Sequence, residues 1–294
     1  MQSIEQERHS WMKLIAISLF LLAYGIVTVM AGDGDIEMNF DNPSTIAFFY
    51  IAQSLGVILL FILPAVLFAI FWTKSGIHYL GITVKPSIKT ILLASSGMLF
   101  AMPLINWCAE LNQHMQLPEA FSGIETWMKN SEAKAAELTD AFTKGTSVGK
   151  LILNLIVVAF MAAVSEELFF RGMVQKVLIE CFKNKHIGVW MGAILFSAFH
   201  MQFYGFFPRM LMGAYLGYMF LWSGSIWPGM LTHFINNGIA VLLIWLANRG
   251  SISVDADKLG VQEGGVMYVI ISVIMVTASL LLVYKTERKN KRLS

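Results

Sequence analysis

Six residues in the second half of the chain place acid, base or hydrogen-bonding groups inside otherwise apolar sequence. Glu166, Glu167 and Arg171 lie in Ser165-Glu166-Glu167-Leu168-Phe169-Phe170-Arg171, and His200 ends Phe196-Ser197-Ala198-Phe199-His200. His233 and Asn237 lie in His233-Phe234-Ile235-Asn236-Asn237. On a helix, sequence neighbours point about 100° apart, so Glu166 and Glu167 cannot share one site equivalently. Glu167 and Arg171 stand four apart on one face and can pair, neutralising both. Glu166 is then left without a partner in its own helix, and an unpaired carboxylate in a low-dielectric site is suited to take a proton from water. His233 and Asn237 are also four apart and form a face that can donate hydrogen bonds.

The elements that must position these groups are membrane helices. Of 294 residues, 56% are hydrophobic and only 14% are charged, which argues against a soluble core. A net charge of +2, with no basic patch, speaks against a nucleic-acid partner. Apolar runs long enough to span a bilayer fall roughly at 12–32, 44–72, 87–107 and 148–180. Four more fall roughly at 187–203, 207–222, 226–247 and 264–284, the first two of these being short. The expected fold is all-α, a polytopic membrane protein of about eight transmembrane helices. Three parts are expected: 1–147, with three helices and an outer amphipathic loop; 148–247, with the chemistry; and 248–294, a last helix and a basic tail.

Lysine and arginine set the orientation. With the N-terminus in the cytoplasm, Arg8, Lys13, Lys74, Lys85, Lys89, Lys176, Lys183, Lys185 and the basic tail all lie inside. The segment Asp33 to Pro43 has no Lys or Arg, and Cys108 to Ser147 carries six carboxylates against Lys129, Lys134 and Lys144. Both termini are therefore expected in the cytoplasm. The first run ends in Val29-Met30-Ala31, a pattern signal peptidase accepts, but its length argues for retention. Phe121, Ile124, Met128, Ala135, Leu138 and Phe142 recur at three- and four-residue steps, as in an interfacial amphipathic helix or a solvated helical loop. Cys108 and Cys181 fall near opposite faces and are read as packing residues. His78, His114, His186 and Glu180 lie in loops or at span ends and are assigned no chemistry.

Each ionisable side chain within a span costs about 2.5–3.5 kcal/mol, so each needs a partner or a function. Counted from the cytoplasmic ends, Glu166 and His200 sit roughly 20 Å deep, His233 about 10 Å and Asn237 about 15 Å, depths compatible with one cavity. Glu-Glu-x-x-x-Arg, Phe-x-x-x-His and His-x-x-x-Asn, in this order on separate spans, resemble the motifs of the CPBP (Abi) family. That family comprises type II CAAX prenyl endopeptidases and bacterial bacteriocin-processing or immunity-associated relatives. The resemblance covers about Leu151 to Leu246.

It implies that Glu166 and His200 hold and activate the attacking water, that His233 and Asn237 stabilise the oxyanion, and that Glu167 and Arg171 are structural support. The implied activity is endopeptidic hydrolysis of a membrane-associated protein or peptide, prenylated in the eukaryotic relatives. The implied setting is a bacterial inner membrane. Glu166, His200 and His233 also make a two-His, one-carboxylate set of the kind that binds zinc, although His-Glu-x-x-His is absent. A metal-free, glutamate-dependent mechanism is the favoured expectation, with zinc as the alternative. Two rival readings are a proton-coupled small transporter, weakened by the lack of an inverted repeat, and a non-catalytic immunity or binding member of the same family.

Overall fold

The computed structural model describes residues 11–13, 16–17, 42–252 and 260–293. Besides helical residues 11–13 and 16–17 and three short 3-10 turns, the described residues form nine longer helices and no strand: α1 (Pro43–Trp72), α2 (Ile88–Leu99), α3 (Met102–Gln113), α4 (Ser122–Thr143), α5 (Val148–Phe182), α6 (Lys185–Phe199), α7 (Phe206–Ser223), α8 (Trp227–Asn248) and α9 (Val266–Leu293). Helices α1, α5, α8 and α9 are each long and apolar enough to cross a membrane. Helices α2 and α3 meet at a 46° bend and together make a fifth candidate span. Pro103 enters α3 in its first turn and cannot donate a backbone hydrogen bond, which accounts for the break. The two expected short runs are present as α6, of 15 residues, and α7, of 18. The chain is an all-α, polytopic integral membrane protein.

The first expected span and Val29-Met30-Ala31 fall almost entirely outside the described residues. Of that region, Lys13 reaches Glu180 at 3.1 Å and Ile17 is buried in the main apolar core. Trp11 packs edge-on against Phe182, with ring centroids 6.1 Å apart. The amphipathic stretch is helical, as α4. Ion pairing at 2.7 Å with the exposed Lys129 supports its first half and holds the Glu125 carboxyl below the usual range. Its C-terminal carbonyls are capped from other helices: Asn154 Nδ2 donates to Phe142 O at 2.9 Å and Asn248 Nδ2 to Thr143 O at 2.9 Å. Part of its apolar face is thus spent on protein, with Phe142 buried, while Phe121 and Ile124 stay exposed.

Helices α5, α6 and α7 approach closely because their contacts are made of small residues, the usual way membrane helices gain packing energy. A Cβ at Gly213 would lie 3.2 Å from Ala193 Cα, and one at Gly217 would lie 2.7 Å from Gln175 Oε1. Two polar residues one turn apart on α5 use this closeness. Arg171 Nη2 donates to Gly213 O at 3.2 Å and Gln175 Nε2 to Gly217 O at 3.0 Å. Each finds on α7 a carbonyl lone pair left over from helix bonding.

A pair of loops fixes where α8 begins. Gly81 and Gly224 both have positive φ, 77° and 70°, and a Cβ on Gly81 would lie 2.7 Å from Gly224 O. From this contact Ile226 N donates to Gly81 O at 3.2 Å, Ser225 Oγ to Val84 O at 2.7 Å and Trp227 Nε1 to Ile82 O at 2.8 Å. Pro228 then opens α8 where its missing N–H costs nothing. His233 follows one and a half turns later.

Candidate active site

Glu166 closes an α-helical turn of α5, and the next eight residues, Glu167–Val174, are π-helical. Wide π turns are uncommon and collect at functional sites, because tertiary contacts must repay their poorer geometry. Here the repayment is visible. All eight π residues are buried, and Phe169 and Phe170 pack against Phe61 of α1, whose own π turn spans Ile58–Ile62.

Glu167 and Arg171 form the expected pair, with Oε1 2.8 Å from Nη1 and side chains 0% and 2% exposed. Glu167 has a further partner that helical spacing does not reveal: the same Oε1 stands 3.1 Å from Nδ1 of His233 on α8. Its other oxygen, Oε2, has no hydrogen-bond partner among the described residues and abuts Gly229, where a Cβ would lie 2.8 Å away. The Arg171 guanidinium also stacks on the Phe196 ring, 4.3 Å from its centroid. That ring stands 5.0 Å from the His200 ring and 5.9 Å from the His233 ring. Phe196 therefore packs against the Arg171 guanidinium and both imidazole rings, while Glu167 reaches His233 directly.

Both histidines are oriented through Nδ1. His200 Nδ1 lies 2.9 Å from the Phe196 carbonyl, which can only accept, so Nδ1 carries the proton. His233 Nδ1 faces the Glu167 carboxylate and donates to it. The two Nε2 atoms are thereby aimed at Oε2 of Glu166, 3.9 Å from His200 and 3.8 Å from His233. That oxygen has no hydrogen-bond partner among the described residues. These separations are too long for direct hydrogen bonds and suit a small molecule between the groups. Exposure divides the set: Glu166 and His200 side chains are 14% and 27% exposed, against 2% for His233.

Asn237 sits one turn beyond His233 on the same face of α8. Its Oδ1 accepts from Asn236 Nδ2 at 3.2 Å, which leaves its own NH2 as the donor end. The described residues therefore bring Glu166, His200 and His233 to one point, with Glu167 and Arg171 behind them. His78, His114 and His186 bond locally elsewhere, to Thr83, Glu110 and Tyr218.

A shared zinc ion would draw its donors to about 3.3–3.5 Å from one another, given bonds of about 2.0–2.2 Å in a tetrahedral site. The 3.8 and 3.9 Å spacings exceed that, and no group of three His, Cys, Asp or Glu among the described residues stands at metal-holding geometry. As placed, the donors do not fit zinc.

Comparison with known proteins bears on the same stretch. Residues 148–239 match the family model described as type II CAAX prenyl endopeptidase Rce1-like. The chain is 28% identical over 92 residues to the uncharacterized protein YpbD of Bacillus subtilis (strain 168), a match covering 30% of this chain and 44% of that protein. The chain thus spans less than half the length of the curated relative it matches. No solved structure matches. The family match begins at the first residue of α5 and ends two residues past Asn237, so it takes in every motif residue gathered at the Glu166 carboxylate, and over this third of the chain the protein is similar to the Rce1-like, type II CAAX prenyl endopeptidase domain.

Proposed function

We propose that the protein is an intramembrane endopeptidase that cleaves a membrane-associated protein or peptide with a glutamate-activated water. The observation that carries this reading is the convergence of two Nδ1-anchored imidazoles on the unpartnered Oε2 of Glu166, at 3.8 and 3.9 Å. Water between these groups donates one hydrogen to Glu166 and the other to His200 Nε2. As its oxygen attacks the scissile carbonyl carbon, Glu166 takes the proton and the carbonyl oxygen becomes an oxyanion. Asn237 NH2 and, in the imidazolium form, His233 Nε2 donate to that oxygen, whose own negative charge offsets the imidazolium while Glu167 holds Nδ1 in place. Collapse of the intermediate breaks the C–N bond, and Glu166 returns its proton to the leaving amine.

Glu167 and Arg171 touch no reacting atom in this scheme. They fix the His233 ring and keep a buried charge pair closed. No step passes through a metal. The bias of Lys and Arg toward one set of loops supports an inner-membrane protein with both termini in the cytoplasm.

The test compares protein termini in membranes from cells making the parent chain or Glu166→Ala at equal levels. New termini that appear only with the parent are expected and would identify the substrates. Identical termini, with host membrane proteins shown to be present, would sink the peptidase reading.

A further inference from the structure

Arg209 belongs to none of the three motifs, yet its surroundings are built around it. It occupies the first turns of α7, where a cation is unfavourable because the helix N-terminus is already positive. Its guanidinium turns back out of the helix. Nη1 donates to Gln202 Oε1 and Nη2 to the Gln202 main-chain carbonyl, both at 2.7 Å. Gly205 makes room for this path, since a Cβ there would lie 2.3 Å from Nη2 and 3.0 Å from Cζ.

The clamped segment is the turn that follows His200. It contains Met201 at φ 55°, a left-handed conformation that residues other than glycine adopt infrequently and at some cost. At the far side Ser197 Oγ donates to Phe206 O at 2.6 Å, and the Trp127 ring of α4 packs on Phe203 at 5.3 Å. His200 N bonds back to Ser197 O at 3.3 Å, so the imidazole hangs from the last residue before the strained turn. The Arg209 charge also acts on Glu166, His200 and Glu132 of α4. Arg171, the other cation beside the site, is already committed to Glu167 and Gly213.

We propose that Arg209 is a positioning residue: its two-bond clamp on Gln202 locks the turn after His200 and keeps Nε2 aimed at Glu166. The proposal rests on the roles given above to Glu166 and His200. A misplacement of a catalytic group by about 1 Å can cost on the order of 100-fold in rate.

The experiment uses the full-length protein and a quenched-fluorescence peptide copied from a cleavage site found by the terminus comparison. Arg209→Ala is expected to lower kcat about 10- to 100-fold with KM changed less than about twofold. Gly205→Ala, which pushes the guanidinium off its path, should reproduce that loss, and Arg209→Lys should recover only part of it. Guanidinium ion at millimolar concentration should raise the rate of Arg209→Ala and leave Gly205→Ala unchanged. If Arg209→Ala does not fold, Gln202→Ala, which removes one of the two bonds, takes its place with the same expected loss in kcat. Parent-like kcat in Arg209→Ala, or a raised KM at constant kcat, overturns the proposal while leaving the peptidase reading intact. Full turnover by Glu166→Ala in the same assay overturns that reading instead.

Discussion

Nδ1 of His233 lies 3.1 Å from Oε1 of Glu167, the same oxygen that stands 2.8 Å from Nη1 of Arg171. One buried carboxylate therefore serves two helices. It neutralises a guanidinium on its own helix and fixes the tautomer of an imidazole on α8. The adjacent Glu166 does neither, and its Oε2 has no hydrogen-bond partner among the described residues.

That contrast predicts opposite stability effects for two neighbouring glutamates. Removing one partner of a buried ionic pair leaves the other uncompensated, at a cost of about 3–5 kcal/mol. Glu167→Ala and Arg171→Ala should each lower the unfolding midpoint in detergent by several degrees. The double variant should lose less than the sum, because the second removal relieves the charge left by the first. Glu166→Ala should unfold near the parent midpoint while losing activity. A midpoint for Glu167→Ala equal to the parent's would show that the pair is not the structural element described here.

Gly229 offers a second check on Glu167. Replacing a helical glycine by alanine ordinarily gains up to about 1 kcal/mol in helix propensity at an interior position such as Gly238, and less in a first turn, where Gly229 lies. At Gly229 the added Cβ would lie 2.8 Å from Glu167 Oε2, whereas at Gly238, on the same helix, the nearest contact is an ordinary 3.6 Å to Leu155. Gly229→Ala is expected to reduce activity at least about tenfold and to lower the unfolding midpoint, because displacing Oε2 must turn the Glu167 carboxylate whose other oxygen, Oε1, orients His233. Gly238→Ala should match the parent or exceed it slightly. Equal behaviour of the two variants would contradict the close approach of α8 to the carboxylate.

Reading the sequence reaches the Glu167–Arg171 pair because both residues lie on one helix, where periodicity alone sets their spacing. It cannot reach the Glu167–His233 bond, since hydropathy locates spans but carries no register between them. The same limit hides the Gly229 contact and the clamp from Arg209, a residue that stands outside all three motifs. Helices α1, α5, α8 and α9 are legible because long apolar runs have few other solutions. The bend between α2 and α3 is not, although Pro103 marks its place once the break is known. The amphipathic pattern of 121–142 correctly gives a helix. Its docking by Asn154 and Asn248 depends on side chains that belong to other helices.

Orientation gives a third prediction. If the basic loops face the cytoplasm, Lys185, at the start of α6, lies inside and Glu137, exposed on α4, lies outside. In a background with Cys108→Ala and Cys181→Ala, Glu137→Cys should react with a membrane-impermeant thiol reagent on intact cells. Lys185→Cys should react only after the cells are opened. The reverse pattern would invert the topology and place the tail outside.

The last prediction concerns metal. Glu166, His200 and His233 have the chemistry of a zinc set, including Nδ1 atoms bonded to outer acceptors in the way that orients metal-binding histidines. Their spacing argues for a water instead, since 3.8 and 3.9 Å exceed the roughly 3.3–3.5 Å that zinc imposes on neighbouring donors. Protein purified without added metal is therefore expected to contain well under about one zinc per chain, and to keep its turnover after prolonged dialysis against a strong chelator. Glu166→Gln should abolish turnover under the same conditions, because a carboxamide cannot take the proton from water. Loss of turnover on chelation, restored by stoichiometric zinc and accompanied by bound metal that His200→Ala releases, would turn the two imidazoles from water-positioning groups into ligands. Glu167 would then be the residue that holds His233 for the ion rather than for the oxyanion.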